Sequence, residues 1–353
     1  MVVCGIQQIG IGVANIEEAF AWYIRAFGCD IKIFDDDGVA DLMLFYTNGM
    51  PQRRRALMAI NLRGGGGFEL WQPKIRELRY LSQKPRLGDL GILTCKIRSS
   101  DIERSYHHLR HTQGATLLGG IVKNPLGKRH FFLYDPYDNL FEVEEDDYVF
   151  SKVDKPTGGV NGAIIGVSNI QKTADFYGEF LGYDVVEYDE TGVFDDLKQV
   201  NGGNNRLRRY MLKRSAPMQG PLCELMGPSH LEFVYSPDIK PVFLYKDRFW
   251  GDPGFIHLCF DVRKIRVFGK LAELMGNPLV CDSGKYFSMG DAHGHFSYVE
   301  DPDGTLIELV EAFKIPILKR FDIYLDLRDR DDEKPLPRYM VKALRFLKVK
   351  SPR

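Results

Sequence analysis

Four strand-like segments each carry one acidic residue between large apolar neighbours: Phe68-Glu69-Leu70, Phe141-Glu142-Val143, Leu231-Glu232-Phe233 and Ile307-Glu308-Leu309. Burying a carboxylate in such company is unfavourable unless something pairs with it, and a divalent metal ion is one such partner. Carboxylates held beside a metal can also take a proton from carbon. The recurrence says more than any single site, because it implies similar modules that each end on a strand pointing a Glu inward.

Other chemistry-bearing residues compete for attention. His107 and His111 are four apart on an expected helix, where a solvated face is the ordinary reading. His293 and His295 flank a glycine and read as a loop leading into a strand. His230 lies two residues before Glu232 and shares its strand face, so it is a further candidate ligand. Gly64-Gly65-Gly66-Gly67 precedes a strand and lacks the Lys-Ser/Thr of a phosphate loop, which leaves a hairpin turn or a lid. Arg53-Arg54-Arg55 reads as a solvated loop or an anchor for an anionic group.

The elements that would position these residues come from an internal repeat. Asn15-Ile16, Trp22-Tyr23 and Phe27-Gly28 match Asn169-Ile170, Phe176-Tyr177 and Leu181-Gly182 at a constant offset of 154. Ile16, Ala19, Phe20, Tyr23 and Phe27 recur at helical spacing, so one helix face packs on a sheet. Asn15 with Glu18 suggests a capping box, and Gly28 and Gly182 sit where helices end in a left-handed residue. A second pair, Asp135-Pro136-Tyr137-Asp138-Asn139 and Asp301-Pro302-Asp303-Gly304-Thr305, reads as tight turns leading into Glu142 and Glu308. The chain therefore divides into four modules of strand, helix and about three strands, near 5–75, 88–147, 159–237 and 253–313. A polar stretch, Lys152 to Gly159, joins the halves. Residues 314–353 have no counterpart in the repeat, and Arg338 to Lys350 suggests a basic amphipathic helix docked on the body or on a partner subunit.

Composition sets the outer bounds. The 353 residues are 44% hydrophobic and 27% charged, with a net charge of −1. That is an ordinary globular balance, and nothing global points to nucleic acid. Six cysteines are scattered without a CxxC, so reduced thiols are expected rather than a disulfide framework or a zinc ribbon. No apolar run approaches the ~20 residues of a membrane span and no signal peptide is evident, so a cytoplasmic protein without a membrane partner is expected.

Paired strand–helix–three-strand modules, with the Asp-Pro-Asp-Gly turn before Thr305-Leu306-Ile307-Glu308, resemble the vicinal oxygen chelate superfamily. That group includes glyoxalase I, extradiol dioxygenases and bleomycin-resistance proteins. The resemblance covers about 5–313. It implies an α+β fold in which four βαβββ modules form two domains with cup-shaped mixed sheets, here 1–150 and 158–313, followed by the extension 314–353. It also implies metal ligands on the first and last strand of each module. The first-strand positions carry over to Gln8, Ile92, Gly162 and His257, and the last-strand positions to Glu69, Glu142, Glu232 and Glu308. Strand alternation agrees, since Ile9, Ile11 and Val13 share one face and Gln8, Gly10 and Gly12 the other. By the same alternation Ile256, Leu258, Phe260 and Val262 face the helices, while His257 and Cys259 face the cup.

Two of the four first-strand positions, Ile92 and Gly162, offer no ligand. Sequential pairing of modules would leave each cup one ligand short. Pairing outer with outer collects Gln8, Glu69, His257 and Glu308 in one cup and leaves the inner cup dead or repurposed. This hard, oxygen-rich set suits Zn, Ni, Co, Mn or Fe as a divalent ion with open positions for a substrate. The resemblance then implies a glyoxalase-I-like lyase or isomerase acting on a small oxygen-chelating substrate, with Glu308 as base and Glu69 opposite it. The alternatives are an extradiol dioxygenase, which wants a second histidine, and a metal-free binding or resistance protein. The sequence leaves open the substrate, the metal and whether the protein is a homodimer.

Overall fold

A computed structural model describes residues 1–284, 286–318 and 321–350. The first module comprises β1 (Val2–Gly12), α1 (Ile16–Phe27), β2 (Ile31–Ala40), β3 (Gln52–Ile60) and β4 (Gly67–Pro73). The second comprises β5 (Gly91–Ser99), α2 (Ile102–Arg110), β6 (Thr116–Lys123), β7 (Arg129–Tyr134) and β8 (Leu140–Glu145). The third comprises β9 (Val160–Gly166), α3 (Ile170–Leu181), β10 (Val185–Gly192), β11 (Leu207–Lys213), the single turn α4 (Cys223–Met226) and β12 (His230–Tyr235). The fourth comprises β13 (Gly254–Arg263), α5 (Ile265–Leu274), the short β14 (Cys281–Asp282) and β15 (Phe287–Met289), then β16 (Ala292–Glu300) and β17 (Leu306–Leu318). The extension adds β18 (Ile323–Asp326), α6 (Arg338–Lys342) and a 3-10 turn at Ala343–Leu347. Among the described residues no helix is long and apolar enough to cross a membrane.

The helix ends follow the local chemistry expected of them. Asn15 Oδ1 accepts from the backbone N–H groups of Glu17 (3.1 Å) and Glu18 (3.4 Å). Asn169 Oδ1 does the same for Lys172 at 3.0 Å. Gly28 and Gly182 close α1 and α3 at φ 69° and 75°, in the left-handed region that favours glycine. The repeated turns are held by their leading aspartates. Asp135 Oδ1 accepts from the backbone of Tyr137 and Asn139, both at 2.8 Å, and Asp301 Oδ1 from Asp303 and Thr305, both at 2.9 Å. Tyr23 of α1 donates to Asp135 at 2.6 Å and Tyr177 of α3 donates to Asp301 at 3.3 Å, so each helix ties its module to the turn of the next.

The modules assemble into two curled mixed sheets. One runs β14-β16-β17-β13-β1-β4-β3-β2, with β15 on β16 and β18 on β17. The other runs β10-β11-β12-β9-β5-β8-β7-β6. The first and fourth modules therefore share a cup, joined by antiparallel β1 and β13, while the second and third share the other, joined by antiparallel β5 and β9. Each half of the sequence contributes one module to each sheet.

The helix-bearing faces of both sheets share one core, in which Phe27 of α1 meets Phe141 of β8 at a ring separation of 5.0 Å. The opposite, concave faces carry separate apolar clusters. The glycine run 64–67 lies in the β3–β4 connection and stitches the sheets together. Gly66 and Val160 exchange backbone hydrogen bonds at 2.7 and 2.8 Å, and a Cβ on Gly65 would stand 2.6 Å from the Gly159 carbonyl carbon. It is a pinned hairpin connection and not a lid.

Candidate metal centre

Parallel pairing of β1 with β4 and of β13 with β17, plus the β1–β13 seam, brings four strands side by side at the floor of the outer cup. Gln8, Glu69, His257 and Glu308 come one from each strand, and all four are almost fully buried. Gln8 Nε2 donates to Glu69 Oε2 at 3.1 Å and to Glu308 Oε2 at 3.2 Å. His257 Nε2 stands 3.2 Å from the same two oxygens. Gly10, opposite His257 across the seam, makes room for the ring, because a Cβ there would lie 2.4 Å from the imidazole.

Two features of this ring ask for a cation. Gln8 Oε1 is buried without a hydrogen-bond partner. Two buried carboxylates also face one imidazole, which leaves an excess of negative charge in a water-poor site. Burial pushes Glu69 upward and the Glu308 charge adds to it. Burial pushes Glu308 the same way, but the His257 charge outweighs it and holds Glu308 below the ordinary range. Burial disfavours charged His257, yet Glu308 and Glu69 outweigh that and raise it to about 9.

One ligand atom from each of Glu69, His257 and Glu308 lies within 4.8 Å of the others, and a half-turn of the Gln8 amide adds its oxygen to them. An imidazole, two carboxylates and an amide oxygen form a donor set that fits a divalent ion with open positions. Behind the donors, Tyr298 Oη lies 3.5 Å from His257 Nδ1. Cys259 is buried beside Glu308, and burial pushes its thiol well up, so it stays protonated.

The inner cup has the same strand positions and a different content. Lys96 Nζ lies 2.6 Å from Glu142, 2.9 Å from Glu232 and 3.8 Å from Glu144. Arg209 pairs with Glu232 at 2.6 Å and with Asp196 at 2.7 Å. His130 meets Glu142 at 2.6 Å and Asp196 at 3.4 Å, and His230 meets Glu144 at 2.8 Å. Both last-strand glutamates are thus neutralised by side-chain cations. Gly162, opposite Lys96, leaves its stem space, since a Cβ there would lie 3.1 Å from Lys96 Cδ. The upper part of this cup is filled by Leu93, Phe132, Leu197 and Leu207.

Several expectations change in detail. Ile92 packs in the helix-side core, because an irregularity between Ile92 and Thr94 shifts the alternation of β5. A similar shift in the β1–β13 seam places Ile256 on the cup side. His293 and His295 lie on β16 itself, at the cavity wall. His295 pairs with Asp282 at 2.5 Å, and His293 shares a hydrogen bond with Ser288 at 2.9 Å. Exposed His111 bonds back to the His107 carbonyl at 2.7 Å, which makes it a helix-end contact.

Arg53, Arg54 and Arg55 lie on β3 and pair with Asp37, Asp36 and Asp35 of β2, so this charge run neutralises its own neighbour. The extension turns its apolar side, Val341, Leu344 and Leu347, into the outer cup. Residues 351–353, the end of that extension, lie outside the described residues. Sequence reasoning missed Lys96 and Arg209. For Lys96 the signal was available as a cation between Cys95 and Ile97, the mirror image of the isolated glutamates, whereas Arg209 follows Arg208 and carries no such mark.

No family model matches the chain, and no curated protein does. Solved structures do. Glyoxalase I from Zea mays is 14% identical and matches over 87% of this chain and 92% of its own, with a TM-score of 0.52. A candidate dioxygenase from Bacillus subtilis is 13% identical over 88% of this chain and 86% of its own, with a TM-score of 0.58. At such identity the likeness carries the fold alone. Together with the two curled sheets and the four repeated modules, it gives this chain the fold of the vicinal oxygen chelate, or glyoxalase/dioxygenase, superfamily.

Proposed function

We propose that the chain is a metal-dependent, glyoxalase-I-like lyase or isomerase that acts on a small molecule with adjacent oxygens. The observation that carries this reading is the ring of Gln8, Glu69, His257 and Glu308, held at 3.1–3.2 Å with the Gln8 amide oxygen left unpartnered. A divalent ion held there would supply Lewis acidity to the substrate oxygens. Glu308 is the group that takes a carbon-bound proton, and Glu69 faces it across the ring as ligand or second acid–base group. Burial keeps both carboxylates away from bulk water, which strengthens their interaction with a polarised substrate.

A ring-cleaving dioxygenase would want two histidines with one carboxylate. Among the described residues only His257 reaches the centre, and His295 is committed to Asp282. The six cysteines are free and buried, which suits a reducing cytoplasm.

The test is elemental analysis of purified protein before and after chelation and reconstitution. About one tightly held ion per chain is expected, lost in Gln8→Ala and His257→Ala and retained in Glu142→Ala. The reconstituted protein is then assayed on hemithioacetals, epimerisable thioesters and catechols. No bound ion under any reconstitution would sink the enzyme reading and leave a metal-free binding protein.

A further inference from the structure

A cavity of about 120 Å³ opens above the donor ring, with Gln8, Glu69 and Glu308 in its wall. The rest of its lining is almost wholly apolar and comes from three separate parts of the chain. The cup strands supply Ile33, Met58 and Phe296, the α4 turn of the third module supplies Leu225 and Met226, and the C-terminal extension supplies Lys314, Ile315 and Leu344. The ionisable side chains elsewhere in the lining are His293, His295 and Lys314. His295 is engaged by Asp282, His293 by Ser288, and Lys314 lies 5.7 Å from the centre of the Tyr324 ring. A charged substrate tail entering this chamber would give up its water against hydrocarbon walls.

The extension is fixed in place and is not loosely draped. Leu336 N–H donates to the Pro221 carbonyl at 3.0 Å and Gly220 N–H to the Glu333 carbonyl at 2.9 Å, which ties it to the α4 segment. At its far end Val349 N–H donates to the Asp30 carbonyl at 2.9 Å, beside the start of β2. Between these ties Leu344 is 1% exposed and lines the chamber. The repeat provides no equivalent wall, since residues 314–353 lie outside it.

We propose that this cup selects substrates whose chelating oxygens sit at one end of a compact apolar body, aliphatic or aromatic, without a charged tail. The C-terminal extension is the wall that imposes the choice. This rests on the metal-site reading above and deepens it to a substrate class. Peptide-bearing or nucleotide-bearing carriers are disfavoured, because most of the wall beyond the donor ring is apolar, Leu225, Met226 and Leu344 among it.

The test titrates zinc-loaded, full-length protein with acetohydroxamate, hexanohydroxamate and a hydroxamate of the same length ending in a carboxylate, by calorimetry. These probes chelate through two adjacent oxygens and differ only in the tail. Each added methylene should tighten binding roughly fourfold until the chamber fills, and the carboxylate-ended probe should bind no tighter than acetohydroxamate. Leu344→Trp fills the chamber from the extension and Leu225→Trp fills it from α4. Each should abolish the gain for hexanohydroxamate while leaving the affinity for acetohydroxamate within about threefold. Should Leu344→Trp not fold, Leu225→Trp carries the same readout for the chamber, and Leu344→Ala, which should admit longer tails, carries it for the extension. Equal affinities for the three probes on the unmodified protein would overturn the proposal, as would an undiminished methylene gain in the tryptophan variants. Failure to retain zinc is a different result, because it removes the metal-site reading itself.

Discussion

The two cups hold carboxylates at corresponding places and dispose of their charge in opposite ways. In the inner cup Glu142, Glu144, Glu232 and Asp196 are matched by Lys96, Arg209 and two imidazoles, so every buried charge has a partner supplied by the chain. In the outer cup Glu69 and Glu308 share one imidazole and one amide. Paired buried ions are neutral at best for stability, but removing one partner leaves an uncompensated charge at high cost. The difference teaches that the inner cup has spent its chelating positions on structure. The outer cup leaves Glu69 and Glu308 with one imidazole between them, an imbalance that the proposed metal ion would offset.

The largest expected effect comes from taking the inner cation away. Lys96→Met keeps much of the side-chain volume and strands Glu142, Glu232 and Glu144 without their ammonium. A loss of about 3–5 kcal/mol is expected, read as a lower urea midpoint with unchanged ion content at the outer cup. A variant as stable as its parent would show that the inner network carries no structural weight. Next in size is the reciprocal change. Gln8→Lys places an ammonium between Glu69 and Glu308, which copies the inner arrangement into the outer cup. Ion binding should vanish while the metal-free protein stays as stable or becomes more so. An ion retained by Gln8→Lys would mean that the ion is held elsewhere.

How much of this could be read before the fold was known depends on what sets each residue's direction. The alternation of Gln8 with Ile9, and of His257 with Leu258, was legible because one face of each strand packs on helices and the other does not. The 154-residue offset and the two Asp-Pro turns announced the modules, since the same local hydrogen bonds must close each of them. Outer-with-outer pairing followed from counting ligands. Ile92 and Ile256 were misplaced because an irregular pairing resets the alternation and leaves no mark in the sequence. The extension's seat over the cup was equally hidden. Val341, Leu344 and Leu347 form an apolar stripe whose spacing says that it is covered but not by what.

A smaller effect separates the cups by pH. Burial opposes charge on His130, but Glu142 and Asp196 outweigh burial and raise it to about 9. A group raised in the folded state stabilises fully below its unfolded value, near 6.5, and that contribution fades as pH rises through about 9. Glu144 and Glu232, held low by His230 and Lys96 and by Arg209 and Lys96 despite burial, contribute in the other direction and weaken only in acid. The difference in unfolding free energy between the parent and His130→Asn should therefore be largest near pH 6 and shrink by roughly 2–3 kcal/mol toward pH 9.5. A difference independent of pH would mean that His130 is neutral in the fold.

The smallest effect on stability should come from Gly10→Ala, and it tests whether the outer ring is set by fit as well as by charge. The added Cβ would fall 2.4–2.8 Å from three ring atoms of His257. The three nearest atoms all belong to the imidazole and none to a strand backbone, so the ring is the group that must turn away. Stability should then change by no more than about 1 kcal/mol, while ion affinity drops at least roughly tenfold as one ligand leaves the centre. Gly162→Ala is the matching change in the inner cup, and there the new Cβ would stand 2.4 Å from the His230 carbonyl oxygen, which belongs to the neighbouring strand and cannot rotate away. It should destabilise more than Gly10→Ala and leave the ion in place. If both alanines lowered stability alike and neither disturbed ion binding, the glycine at the outer seam would serve strand packing alone, and the orientation of His257 would need another cause.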